Sequence, residues 1–329
     1  MTTRKLQWGI LSTAQISRSF LIALRTSIRN IPLAVASRDF QRAQTFAKEL
    51  AIPRAYGRYD SLLEDPDIDV VYIPLPNGMH AEWAIKAAKA GKHVLCEKPL
   101  AMSTAEVDAM GEAAAKAGVV LLEALMYRHH PQTLRVKEIV DSGALGDLLV
   151  IRGSFTIDLA GDPDNIRLNP HLGGGSIWDL GSYPISYSSF LVGRNPVEVY
   201  AKQFIGSTGV DEAVVGQMRF PGDVFAQINC GFHSPFRMRM EVIGSKGAIE
   251  IPWPFIPDKH AEISLVLKDE TRVIAVQGQD LYIGEIEDMV DAILEGKSPR
   301  VSLKESRGNI AAIEALLNSA RKGCTVQIE

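Results

Sequence analysis

Across its first 125 residues the chain alternates short apolar runs with stretches of helical periodicity, and this rhythm constrains the fold before any single side chain is interpreted. Runs of strand length lie at 5–11, 31–37, 70–75, 94–96 and 119–125. Helical patterns fill the intervals near 18–28, 40–50, 81–90 and 107–117. Strands joined by helices over such distances predict an α/β fold, a parallel sheet wound on both faces with right-handed crossovers. From Gly146 the rhythm changes. Extended candidates at 148–157, 197–205, 213–220, 224–232 and 237–243 are separated by Gly or Pro turns, and Phe220-Pro221-Gly222-Asp223-Val224 reads as a hairpin connection. This half predicts an α+β domain with a large, mostly antiparallel open sheet and helices near 176–191, 285–294 and 305–320. At 329 residues there is chain enough for both. The expected division is 1–124 and 125–329.

Charge and composition exclude several classes of function. A net charge of -4 argues against general affinity for nucleic acid or anionic membrane. No apolar run approaches the roughly 20 residues of a membrane span, and 6–11 is too short for a signal segment. Cys96, Cys230 and Cys324 are far apart, and neither Cys-x-x-Cys nor His-x-x-x-His occurs, so no metal site is expected. Cys96 reads as a small buried hydrophobe. A reduced, cytoplasmic protein is the simplest account.

The strand Val94-Leu95-Cys96 stops at Glu97-Lys98-Pro99. Proline ends the ladder and pushes Lys98 towards extended geometry at the carboxyl edge of the sheet, where open parallel sheets bind ligands. A charged pair closing a core strand points to a reactive centre at Lys98. The first strand–helix turn, Ser12-Thr13-Ala14-Gln15-Ile16-Ser17, puts small residues where a dinucleotide fingerprint has its three glycines, with Gly9 just upstream. Such a turn still lets backbone approach a pyrophosphate at a helix N-terminus. The second strand ends in Ser37-Arg38-Asp39. A hydroxyl and a guanidinium suit the 2′-phosphate of NADP. Asp39 either caps the next helix or turns inward and favours NAD. Pro74, Leu75, Asn77 and His80 follow the strand at 70–75. Asn77 is placed to cap the next helix; Asn77 and His80 either line the cofactor's ribose and nicotinamide or belong to a rigid turn.

In the second half, the segment 158–172 lacks periodicity and leads into Gly173-Gly174-Gly175 and a helix. Asp179 and Tyr183 lie four residues apart there and are expected to share a face. A phenol can exchange protons at neutral pH only with help, and a lysine ammonium supplies it. Tyr183 is therefore the expected acid/base, Lys98 the cation that assists it, and Asp179 a holder of the substrate hydroxyl or of Lys98. Arg128, Arg167 and Asn169 are candidates for substrate contact; His129 and His130 read as structural.

Taken together, Ile73-Pro74-Leu75-Pro76-Asn77-Gly78-Met79-His80, Gly91-Lys92-His93-Val94-Leu95-Cys96-Glu97-Lys98-Pro99, Met126-Tyr127-Arg128-His129-His130-Pro131 and the run from Gly173 to Pro184 resemble the glucose–fructose oxidoreductase/inositol dehydrogenase (Gfo/Idh/MocA) family over essentially the whole chain. Tyr183 aligns the resemblance with the dihydrodiol dehydrogenase/NADP-dependent D-xylose dehydrogenase branch. The missing fingerprint glycines depart from the family pattern. The resemblance implies a Rossmann domain followed by a substrate and oligomerisation domain, and hydride transfer between a nicotinamide cofactor, NADP before NAD, and a sugar, polyol or cyclic diol. It further implies a homodimer or homotetramer formed through the second sheet. A ketosugar reductase, and a regulatory protein that senses NADP without turnover, are the alternatives.

Overall fold

A computed structural model describes residues 4–328, which form two compact units: the chain up to Met126 with Asp280–Leu303, and Tyr127–Gln279 with the chain from Lys304 onward. In the first, β1 (Leu6–Leu11), α1 (Gln15–Thr26), β2 (Asn30–Ala36), α2 (Phe40–Glu49), β3 (Arg54–Tyr56), α3 (Tyr59–Leu63), β4 (Val70–Ile73), α4 (His80–Lys89), β5 (His93–Glu97), α5 (Thr104–Ala117) and β6 (Leu121–Ala124) alternate as expected. The six strands are parallel in the order β3-β2-β1-β4-β5-β6. β4 is buried at every residue, as the near-continuous apolar strands of a sheet covered on both faces must be. The order reverses between β1 and β4, so the connections leaving their carboxyl ends diverge and open a crevice. The short β3 and α3 were not anticipated; three and five residues are too few to display a period.

The second unit contains α6 (Pro131–Asp141), β7 (Leu148–Asp158), α7 (Ser182–Val192), β8 (Glu198–Ile205), β9 (Asp211–Arg219), β10 (Phe225–Gly231), β11 (His233–Gly244), β12 (Gly247–Ile251), β13 (His260–Leu267) and β14 (Thr271–Gln277). After β14 the chain returns to the first unit as α8 (Ile283–Glu295), then completes the second with α9 (Leu303–Lys322) and β15 (Val326–Gln327). The expected boundary thus lies two residues before the crossing at 126/127, and Asp280–Leu303, expected in the second domain, joins the first unit. There Ile286, Met289 and Val290 of α8 are fully buried among Trp8, Phe20 and Tyr72.

Nine strands form the second sheet in the order β14-β13-β12-β11-β7-β10-β9-β8-β15. Its described ladders are antiparallel except β7 with β10, so the open, mostly antiparallel sheet holds. The 220–224 hairpin joins β9 to β10, closed by Phe220 N–H donating to the Val224 carbonyl (2.8 Å). α7 covers one face, with Pro184 against β7 at Gly153. The alternating burial of β9 and β10 leaves Val215 and Phe225 outward. Cys96 is a buried hydrophobe as expected, and the three cysteines are unpaired. Among the described residues no helix is long and apolar enough to cross a membrane.

Candidate active site

Four strand ends of the first unit carry the expected cofactor residues. After β1, Ser12 adopts φ 126°, the conformation that the first fingerprint glycine normally supplies. Its Oγ accepts the Ala14 N–H (3.1 Å), and the Ser17 hydroxyl reaches the Ser12 carbonyl (3.5 Å). α1 starts without a side-chain cap at Ala14 and without an acidic residue in its first turn, so its positive end suits an anionic ligand. Ile16 is half-buried behind this turn, and Thr13 and Gln15 border a groove of about 450 Å³ that extends past Asp39 and Arg42.

At the end of β2, Asp39 accepts the Arg42 N–H (3.1 Å) and caps α2, the first of its two readings. The Ser37 hydroxyl is turned to the same connection, accepting the Asp39 N–H (3.2 Å). Arg38 is exposed, and its charge acts on the buried phenol of Tyr59. Burial pushes the Tyr59 phenol up, while the Arg38 guanidinium draws it down. Tyr59 was missed because the only local signal is an aromatic opening a five-residue helix.

After β4, Pro74 and Leu75 are buried and a 3-10 turn spans Asn77–Met79. α4 therefore begins at His80 with Met79 as its uncapped N-cap, so Asn77 is not the cap expected of it. His80 is also corrected. It is fully buried, with Nδ1 2.8 Å from the Pro99 carbonyl and Nε2 2.8 Å from the Leu75 carbonyl, a brace between two connections and not a group facing the ribose. Burial holds its pKa below the usual imidazole range, and the charge of Lys98 acts in the same direction.

β5 ends at Glu97, which accepts the Tyr72 hydroxyl at 2.6 Å and the Lys98 N–H at 3.2 Å. Lys98 is half-buried, the Lys98-Pro99 peptide is cis, and Leu100 N–H donates to Glu123 (2.9 Å). Lys98 thus leaves β5 at the carboxyl edge of the sheet.

In the second unit, the 158–172 segment ends in two 3-10 turns, Ile166–Leu168 and Pro170–Leu172. Asn169 is exposed and caps the latter by accepting the His171 N–H (2.9 Å). Gly174 and Gly175 donate to the carbonyls of Asn169 and Arg167, each at 2.9 Å. A Cβ on Gly174 would sit 2.4 Å from the Arg167 carbonyl oxygen, which explains a glycine run at this point. Next, Asp211 accepts Ile177 N–H and Ser176 Oγ–H, both at 2.8 Å; burial pushes its carboxyl up to about 6.

Only then does the expected helix begin, and its first turn, Ile177–Gly181, is π-helical, so the assumed four-residue α-helical face does not apply. Arg167 Nε donates to Asp179 Oδ2 at 2.5 Å. The Asp179 carboxylate holds the Arg167 pKa above its ordinary value, and the Tyr183 phenol adds to this. Tyr183 itself is buried among Phe255, Phe155 and Tyr127, with ring centroids 5.3, 5.4 and 5.8 Å away. Arg167, Asp179 and Tyr183 therefore come together. Arg128 does not join them: it is 4 % exposed, bonds Glu305 at 3.0 Å and lies 3.8 Å over the Phe190 ring. His130 caps α6 by accepting the Gln132 N–H (3.1 Å), and the His129 carbonyl accepts from Gln279 (3.2 Å), in keeping with structural roles.

Family models match both halves of the chain: the oxidoreductase family with NAD-binding Rossmann fold over residues 6–125, and the GFO/IDH/MocA C-terminal domain over 133–250. The D-xylose 1-dehydrogenase (NADP(+)) 2 of Haloferax volcanii is 37% identical over 327 residues, covering 98% of this chain and 100% of that protein. The mouse (Mus musculus) trans-1,2-dihydrobenzene-1,2-diol dehydrogenase is 33% identical over 335 residues, covering 98% and 97%. Among solved structures, a 3-ketoreductase from Actinomadura kijaniata in complex with NADP and TDP-benzene superimposes with TM-score 0.91 at 28% identity, covering 96% of this chain and 98% of the other. With a parallel sheet of reversed strand order, an eroded but glycine-like fingerprint turn and agreement along nearly its whole length, the chain belongs to the GFO/IDH/MocA family of oxidoreductases with an NAD-binding Rossmann fold.

Proposed function

We propose that the protein is an NADP-dependent dehydrogenase or reductase acting on the CH–OH or carbonyl carbon of a sugar, polyol or cyclic diol. The observation that carries this reading is Lys98, an ammonium delivered by the backbone to the carboxyl edge of a sheet whose order reverses between β1 and β4. Relatives named as acting on xylose and on a dihydrodiol agree with it.

The residues present fit a dinucleotide. Ser12, Thr13, Ala14, Gln15 and Ile16 surround an uncapped helix N-terminus suited to a pyrophosphate. With Asp39 committed to capping α2, Arg38 and Ser37 remain for a 2′-phosphate, assisted by Tyr59. The cofactor, when bound, accepts or supplies the hydride. Tyr183 takes the proton from the substrate hydroxyl in oxidation and returns it to the carbonyl oxygen in reduction. Lys98 holds that oxygen and stabilises the negative charge developing on it and on the phenol. Asp179, oriented by Arg167, accepts a hydrogen bond from a neighbouring substrate hydroxyl. The open face of the nine-stranded sheet packs against a second copy of the chain, which sedimentation measures.

Following absorbance at the nicotinamide band with a panel of aldoses, polyols, ketosugars and cyclic diols tests the reading. Turnover of one of these classes is expected, with NADPH bound more tightly than NADH. Arg38→Ala is expected to weaken NADPH about tenfold and leave NADH unchanged, the scale of one charge-assisted hydrogen bond. Tight NADPH binding without turnover of any member would favour the sensing protein instead.

A further inference from the structure

A cavity of about 500 Å³ in the second unit has a chemistry that the proposed reaction does not use. Neither Asp179 nor Tyr183 lines it. Four of its lining side chains are cationic, Arg128, Lys137, Arg194 and Lys304, against one carboxylate, Glu305. Its volume lies in the usual range of small-molecule sites.

Three features mark the cavity as built. Arg128 is held over the Phe190 ring, 3.8 Å from its centroid, and bonded to Glu305 while its buried Nε has no hydrogen-bond partner. Ser189, on the same wall and also buried, has an unpartnered Oγ. Buried polar atoms left in this state are costly and call for an explanation. The first turn of the 20-residue helix α9 brings Lys304 and Glu305 to the cavity, so the positive end of a long helix dipole adds to the lysine and arginine charges. Finally, Asn195 packs onto α9 where Gly308 leaves room: a Cβ there would lie 2.3 Å from the Asn195 amide. The connection after α7, carrying Arg194, is thereby pressed against the helix.

We propose that this cavity binds a phosphate dianion, free or as the phosphate of a small monoester, between Arg128, Arg194 and Lys304. Arginine matches phosphate oxygens with a planar fork of donors, and a dianion requires more than one cation at close quarters. Glu305 competes with the ligand for Arg128 and sets the affinity.

Calorimetric titration of the full chain, saturated with NADPH so that phosphate cannot occupy the cofactor's own anion sites, tests this at fixed ionic strength. Inorganic phosphate and glycerol 3-phosphate are the probes. One saturable site per chain is expected. Equal affinities identify free phosphate as the ligand chemistry, and tighter glycerol 3-phosphate identifies a monoester. Arg194 and Lys304 are exposed, so the R194Q/K304Q double variant keeps the fold, which its melting curve without phosphate checks. It should weaken binding at least tenfold, while E305Q should tighten it. Absence of saturable binding below about 10 mM, a range in which even weak sites report, or unchanged affinity in R194Q/K304Q, overturns the proposal.

Discussion

The two units place their candidate catalytic groups by different means. In the first, Lys98 is positioned by backbone: a fully paired strand, a proline that ends it, and a Glu97 carboxylate locked to Tyr72. In the second, Asp179 lies within a π-helical turn and Tyr183 just after it, and what fixes this segment is a set of side-chain bonds, Arg167 to Asp179 and Ser176 and Ile177 to Asp211. A site held by ladder hydrogen bonds tolerates changes around it. One held by a few charged side chains is sensitive to each of them, and to pH.

The largest expected effect tests whether the two placements serve one reaction. Lys98→Met and Tyr183→Phe should each lose more than roughly a hundredfold in turnover while still binding NADPH, the scale of general acid–base catalysis; steady-state kinetics and a fluorescence titration read the two quantities. If only one variant loses activity, the units do not share a mechanism.

A second effect concerns Asp211. Its folded pKa of about 6 lies above the ordinary 3.8, so the folded state binds the proton more tightly and stability is withdrawn as pH rises from about 4 through 6. Asp211→Asn keeps an acceptor for the Ile177 N–H and carries no charge. In thermal unfolding it should be more stable than the parent above pH 6, by up to about 3 kcal/mol, with the advantage vanishing below pH 4. A pH-independent difference would show that the buttress does not titrate in this way.

Smaller still, Arg167→Gln should cost about tenfold in kcat/KM by loosening Asp179, with Arg167→Lys restoring part of it. The smallest effect sharpens the backbone side of the comparison. Ser12→Ala keeps the φ of 126° but removes the acceptor for the Ala14 N–H, and should cost about 1 kcal/mol in thermal unfolding. Ser12→Gly relieves the backbone and should cost less.

The same contrast explains what was legible in the sequence. Strand ends of a parallel sheet announce themselves through apolar runs and proline, so Lys98, the fingerprint turn and the strand alternation could be read directly. Partners distant in sequence could not. Nothing near Arg128 indicates Glu305, 177 positions away, so a buried structural cation read as a substrate contact. Asn77 has the composition of a cap, but a three-residue 3-10 turn moves the helix start to His80, which then faces two carbonyls. The spacing of Asp179 and Tyr183 assumed a uniform α-helix, and the π turn changes their relation while Arg167 still gathers them. Of the strands after residue 246, β12 has five residues beginning at Gly247, too few to display a period, whereas β13 and β14, of eight and seven residues, carry a polar/apolar alternation by which they could have been found.

The late return of α8 has a consequence for biosynthesis. Ile286, Met289 and Val290 complete the apolar cluster around Trp8 and Phe20, and Arg29 finds its acidic partners Asp291 and Glu295 on the same helix. When the ribosome has finished the sixth strand, this nucleotide-binding half still lacks one wall, and more than 150 residues must be translated before that wall emerges. Through that interval the nascent chain presents an unfinished greasy flank, a natural target for chaperones, and a chain stopped short of α8 keeps that flank for good.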